Sequence, residues 1–164
     1  MEKTAEKLIK HVFSLSQTIG NRNVEQKEAL DRTANYIDEE FQDYGYQVDR
    51  QCYSVSGEAY YEPFCMDKGN RDTPSVKACN IIATKIGKEY PNEIMIIGAH
   101  YDTCENPGAD DNASGIAGML EIARLLSGIT TKRTIKFIAF ANEEPPFFHT
   151  DMMGSLVYSK DARQ

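Results

Sequence analysis

The chain has 164 residues, 41% hydrophobic and 26% charged, with a formal net charge of −7 and a pI near 5.0. That length fits one domain, and moderate charge with a normal share of Tyr and Phe fits a folded chain rather than a disordered one. An acidic chain without a Lys/Arg cluster offers little to a nucleic-acid backbone or an anionic lipid surface, and no segment approaches the roughly 18 consecutive apolar residues of a membrane span. Nucleic-acid and membrane partners are therefore not expected.

The N-terminus, MEKTAEKLIKHVFSLSQTIG, lacks the apolar run of roughly 7–15 residues that marks a secretory leader. On that basis the chain is expected to be cytoplasmic. Its cysteines, Cys52, Cys65, Cys79 and Cys104, form no CxxC pair and are expected to be reduced thiols.

Apolar residues recur at helical spacing from about residue 2 to 19 (Leu8, Ile9, Val12, Phe13, Leu15), and Gly20 closes that first helix. A second amphipathic pattern runs from about 24 to 44 and ends at Gly45. YQVDRQCYSV then alternates with period two, as a half-buried strand does, and a weaker partner strand is read at Glu58–Phe64. KGNRDTP is a loop by its Gly, Asn, Asp and Pro, and KACNIIATKIG is a further strand. IMIIGA and TIKFIAFA are short apolar runs suited to strands covered on both faces, and between them a helix from about Ser114 to Ser127 takes its apolar face from Ile116, Leu120, Ile122, Ala123 and Leu126. Strand, helix, strand makes a βαβ unit with a parallel pair, so the fold class is α/β. In such sheets ligands gather beyond the carboxyl ends of the strands.

Those ends carry the candidate chemistry. The first reads GAHYDTCENPGADDNASG, which supplies His100 and Asp102 at i and i+2, then Asp110, Asp111 and Asn112 before the helix. The second reads FANEEPPFFHTD and supplies Glu143 and Glu144. Carboxylates crowded together raise one another's pKa unless a cation neutralises them, and an O/N donor set with one histidine suits Zn²⁺. Each piece alone also has a plainer reading. His100 could be a hydrogen-bonded residue at a strand end; Asp111, Asn112 and Ser114 could cap the next helix; Glu143 and Glu144 could sit in a solvated turn. Their joint occurrence on neighbouring strand ends favours the metal.

HYDT, PGADDNASGIAGMLEIARLL, RTIKFIAFANEE and the following MGSLVY together resemble the zinc aminopeptidase family of bacterial leucyl aminopeptidases and aminopeptidase Y. Glutaminyl cyclases and glutamate carboxypeptidases are that family's more distant relatives. IGNRN and the helix ending YGYQV resemble its N-terminal part. The resemblance implies a three-layer α/β/α sandwich with a mixed, largely parallel sheet, here as a single partial domain over residues 1–164. It implies two zinc ions, with His100 on one, Glu144 on the other and Asp111 bridging them. Asp102 would hold the far nitrogen of His100, Glu143 would act as general base, and the Asp111–Asn112 peptide would be cis.

The implied activity is that of a metallo-exopeptidase, most simply an aminopeptidase acting on peptide substrates. A non-catalytic scaffold and a glutaminyl cyclase-like enzyme are the alternatives. The family's site takes a further aspartate and a further histidine after the MGSLVY helix, and the sequence ends six residues beyond Tyr158, at Gln164. A truncated peptidase with an open sheet edge, prone to self-association, is expected on that count. His149, Asp151 and Cys104 match no ligand position of the family, Asp110 has no role in it, and His11 lies on the first helix without a partner at metal spacing.

Overall fold

A computed structural model of the chain describes residues 2–55 and 75–162. The strand expected at Glu58–Phe64, the KGNRDTP loop and Cys65 lie outside the described residues. Helix α1 (Glu2–Phe13) widens into a π-type turn at Ser14–Ile19 and stops at Gly20. Asn23 then turns the chain ahead of the next helix: its side-chain oxygen accepts the N–H groups of Glu25 and Gln26, as Asn side chains do in turns. Helix α2 (Lys27–Asp43) ends where Gly45 adopts a φ of +84°, and the N–H groups of Gly45 and Tyr46 donate back to the carbonyls of Gln42 and Phe41.

Strands β1 (Gln47–Val55), β2 (Val76–Lys85), β3 (Tyr90–His100) and β4 (Arg133–Phe140) form one sheet in the order β1-β2-β4-β3. Helix α3 (Gly115–Leu126) joins β3 to β4, which pair in parallel, as the βαβ reading requires. The other two described pairings, β1–β2 and β2–β4, are antiparallel, so the sheet is mixed but not largely parallel as expected. Connection length explains the difference. Only residues 86–89 link β2 to β3, far short of the dozen or so that a parallel crossover needs. The two strands therefore run oppositely, and β4, parallel to β3, must be antiparallel to β2.

The core lies between the sheet and helices α1–α3. The rings of Phe41, Tyr46 and Phe137 meet with centroids 5.5–6.2 Å apart, and the Tyr46 hydroxyl donates to the Ala123 carbonyl on α3 at 2.7 Å. Leu15, Leu30, Ile37, Ile81, Ile116 and Leu120 are fully buried around them, each side chain stabilising the fold by roughly 1.5–3 kcal/mol. Helix α4 (Gly154–Asp161) meets the opposite face, where the Tyr158 ring packs on Phe140. Among the described residues that face carries α4 alone, so they form one full helical layer and not the complete three-layer sandwich. Among the described strands β3 lies at the edge of the sheet, and its Ile94, Met95 and Ile96 are about half exposed. No described helix is long and apolar enough to cross a membrane.

The expectation of reduced thiols fails at Cys52 and Cys79. Strand register sets these residues directly opposite each other across β1–β2, with Cα atoms 4.0 Å apart, and they are joined as a disulfide. Cys104 is half-buried and outside that bond.

Candidate metal centre

Because β3 and β4 are parallel, their carboxyl ends open at the same pole of the sheet. The Tyr101 N–H donates to the Phe140 carbonyl at 2.9 Å, extending the ladder one residue past β3 and carrying Asp102 to the rim. At the end of β4, Asn142 takes a φ of +58°, a left-handed conformation that Asn tolerates better than most residues. The chain turns there, and the N–H groups of Glu143 and Glu144 both donate to the Asp102 carboxylate, at 3.0 and 2.9 Å. Asp102, 2% exposed, thus binds the end of one strand to the loop after the other. A third segment follows Gly108, whose φ of +55° and close approach to the Asp111 carbonyl and the Thr103 side chain leave no room for a Cβ. This turn, Ala109–Ser114, brings Asp111 back to His100, with Nε2 and Oδ1 2.9 Å apart. The Asp111–Asn112 peptide is cis, as is Pro145–Pro146.

The plainer capping reading applies to Asn112, whose side-chain oxygen accepts the Gly115 N–H at 2.9 Å at the start of α3. It does not apply to Asp111, which is turned to His100. One nitrogen of His100, one oxygen of Asp111 and one of Glu144 lie within 4.8 Å of one another, forming the cluster of potential ligands found among the described residues. Glu143 Oε2 stands 3.6 Å from His100 Nε2. His100 Nδ1 is buried, has no hydrogen bond, and lies 3.6 Å from Asp102 Oδ1, outside hydrogen-bond range.

His11, His149, Asp151 and Asp110 stand apart from this cluster. His11 is buried against the Tyr36 hydroxyl at 2.6 Å, the His149 ring lies tilted against Phe148 in an exposed turn, and Asp151 pairs with Lys160. Asp110 is exposed, and its carbonyl accepts the Ser114 hydroxyl. Cys104 lines a cavity of about 60 Å³ beside the centre, together with Val24, Asp102, Glu144 and Phe147.

Crowded carboxylates around one imidazole shift the titration of the cluster. Burial alone would lower the His100 pKa, but Asp102, Glu143 and Asp111 outweigh it and push it up to about 9. Burial, then the charges of Asp111 and Asp102, push the Glu144 carboxyl up to about 7. Protons on these two groups supply the positive charge the cluster demands. One imidazole and two carboxylates, with two of their donor atoms already 2.9 Å apart, suit a zinc ion, which takes N and O ligands at about 2.0–2.2 Å.

The histidine–carboxylate cluster lies beyond the carboxyl ends of adjacent parallel strands, where ligands gather in an α/β sheet. Residues 80–164 match Peptidase family M28, and the chain belongs to that zinc metallopeptidase family. It is 38% identical over 163 residues to Uncharacterized protein YfbL of Escherichia coli (strain K12), covering 94% of this chain and 44% of that protein. It is 45% identical over 67 residues to Aminopeptidase YwaD of Bacillus subtilis (strain 168), 40% of this chain and 15% of that protein. Its fold matches BSAP, a zinc aminopeptidase from Bacillus subtilis, with a TM-score of 0.71 at 18% identity over 85% of this chain and 62% of that one. The chain thus spans less than half the length of these two sequence relatives.

Proposed function

We propose that this chain carries the zinc-holding and proton-transferring part of an exopeptidase centre that releases N-terminal residues from peptides. The observation that carries the reading is the convergence of His100, Asp111 and Glu144 within 4.8 Å, with Glu143 beside them. His100 and Glu144 would each hold one of two zinc ions. Asp111 spends one oxygen toward His100 and has a 73% exposed side chain, which leaves its second oxygen available to the other ion. Bound zinc lowers the pKa of water and polarises the peptide carbonyl.

The chain's own residues do the rest. The Glu143 carboxylate takes the proton from the attacking water and returns it to the departing amine. Its neighbour Glu144 is committed to coordination, so the two adjacent glutamates are not interchangeable. Asp102 fixes both by holding their amides, and it keeps a negative charge beside the His100 ring.

The test is zinc titration by calorimetry on the 164-residue chain, with leucine p-nitroanilide turnover measured on the same samples. The wild-type chain is expected to bind zinc and turn over. Glu143→Gln is expected to keep the wild-type zinc stoichiometry while losing turnover by about 10²–10⁴-fold, the usual share of a general base. Equal loss of zinc in that variant would overturn the assignment of roles, and absence of zinc binding in the wild type would overturn the metal centre itself.

A further inference from the structure

The segment Asn21-Arg22-Asn23 sits far from β3 in sequence, yet it is bound to the loop that follows β3. Arg22 is completely buried, and its guanidinium donates to five main-chain carbonyls. Nε reaches Tyr101 at 2.7 Å; Nη1 reaches Pro107 at 2.6 Å, Gly20 at 3.0 Å and Leu15 at 3.2 Å; Nη2 reaches Gly108 at 3.2 Å. Its backbone exchanges two further bonds with Thr103: the Arg22 N–H donates to the Thr103 hydroxyl oxygen, and the Thr103 N–H donates to the Arg22 carbonyl, both at 2.9 Å. Asn21 accepts the Thr103 hydroxyl proton at 2.7 Å, and the Asn23 amide donates to the Thr103 carbonyl at 3.2 Å.

We propose that Arg22 is a positioning residue of the metal centre, holding Asp111 at its distance from His100 by gathering the carbonyls of Tyr101, Pro107 and Gly108 into one buried fork. Tyr101 directly follows His100, and Gly108 opens the turn that returns Asp111, so the fork spans the stretch of chain that separates the two ligands. That stretch is irregular up to Ala109, and an irregular loop keeps ligand geometry only where something rigid ties it down. Lysine would not serve, because one ammonium has three donors at a single point while a guanidinium presents five in a fixed plane. Burial lowers the Arg22 pKa to about 10 and the nearby Asp102 charge opposes that fall, so the side chain remains a cation at neutral pH. Its charge also offsets part of the carboxylate excess.

The proposal rests on the metal reading for its consequence and on the loop for its test. Metal-free wild type, Arg22→Met and Arg22→Lys would be compared by hydrogen exchange, and their zinc affinities measured by competition with a chelator. Arg22→Met is expected to speed exchange at Tyr101–Gly115 by about tenfold or more while β1 and β2 stay protected, and to weaken zinc by about 10–100-fold, the range for loss of a group that supports a ligand. Arg22→Lys should fall between. Leu30→Ala, a core truncation on α2 away from the loop, controls for general destabilisation and should leave zinc affinity unchanged. Exchange that rises uniformly over the sheet, or a zinc shift no larger than that of Leu30→Ala, overturns the proposal. His100→Ala separates the two ideas, since it should remove zinc and leave exchange at 101–115 as in wild type. If the wild-type chain binds no zinc, the metal reading fails and the exchange pattern alone decides the role of Arg22.

Discussion

Two glutamates of this molecule, one buried and one half-buried, are shifted in opposite directions. On α3, Glu121 meets Arg124 in a two-point fork, both bonds 2.7 Å long, and that hydrogen bonding outweighs burial and holds its carboxyl below the usual range. At the strand ends, Glu144 has no such partner; burial, Asp111 and Asp102 push it up to about 7. Elsewhere in the described fold acids are also matched with cations, as in Asp38 with Arg50. At the strand ends Asp102, Asp111, Glu143 and Glu144 share one imidazole. Acids matched with cations on the helical side and acids crowded around one imidazole at the strand ends are two different electrostatic settings, and under the proposed reading a metal ion would supply the charge that the second one lacks.

The sharpest way to break that contrast is to remove a ligand. Asp111→Ala or His100→Ala is expected to abolish measurable zinc binding in calorimetry, a larger loss than the roughly 10–100-fold typical of a supporting residue. Circular dichroism should show the fold kept, because Asp111 is largely exposed and neither residue is part of the apolar core. Zinc affinity within threefold of wild type in both variants would sink the comparison.

A change of pH acts on the same crowding more gently. His100 and Glu144 have folded-state pKa values raised above their ordinary ones, to about 9 and about 7. Groups of that kind stabilise the metal-free fold fully below their unfolded pKa and lose that contribution as pH rises through the folded value. Zinc replaces the same protons, so it binds against less competition as pH rises. The zinc-induced rise in Tm should therefore grow from pH 6 to pH 9. A constant increment across that range would mean that the protons on His100 and Glu144 do not compete with the ion.

How much of this was legible in the sequence depends on how local each signal was. Helices α1 to α3, strand β1 and the β3-α3-β4 unit follow from periodicity and from glycine stops; the strand ends offered seven polar candidates, and only the family resemblance singled out His100, Asp102, Asp111, Glu143 and Glu144 among them. The β2–β4 pairing was not legible, because strand direction depends on how few residues join β2 to β3. The Cys52–Cys79 bond was equally hidden, because register across two strands, and not cysteine spacing, sets those residues opposite each other. Asp102 was expected to serve His100, whose Nδ1 it faces at 3.6 Å; that it also binds the amides of Glu143 and Glu144 was not legible, because those contacts exist only once β4 lies beside β3. Arg22 stood in a recognisable IGNRN, but a buried arginine whose acceptors are carbonyls leaves no trace in side-chain patterning.

The smallest expected effect lies on the paired side of the contrast and tests whether pairing there is only structural. Arg124→Ala leaves Glu121, 3% exposed, without its fork, although Lys7 and Thr4 still lie close enough to favour its charge. Because Arg124 itself is partly exposed, at 28% of its side chain, solvent screens the pair and the loss in urea unfolding at pH 7 should be small. A depressed carboxyl contributes stability above its unfolded pKa and loses it as pH falls through the folded value. The gap between wild type and Arg124→Ala should therefore be present at pH 7 and close below about pH 4.5, the ordinary value for glutamate. Zinc affinity should not move, because the pair lies on α3, outside the ligand cluster. A tenfold change in zinc affinity would mean that the two sets of acids are coupled and that the pairing on α3 also serves the centre.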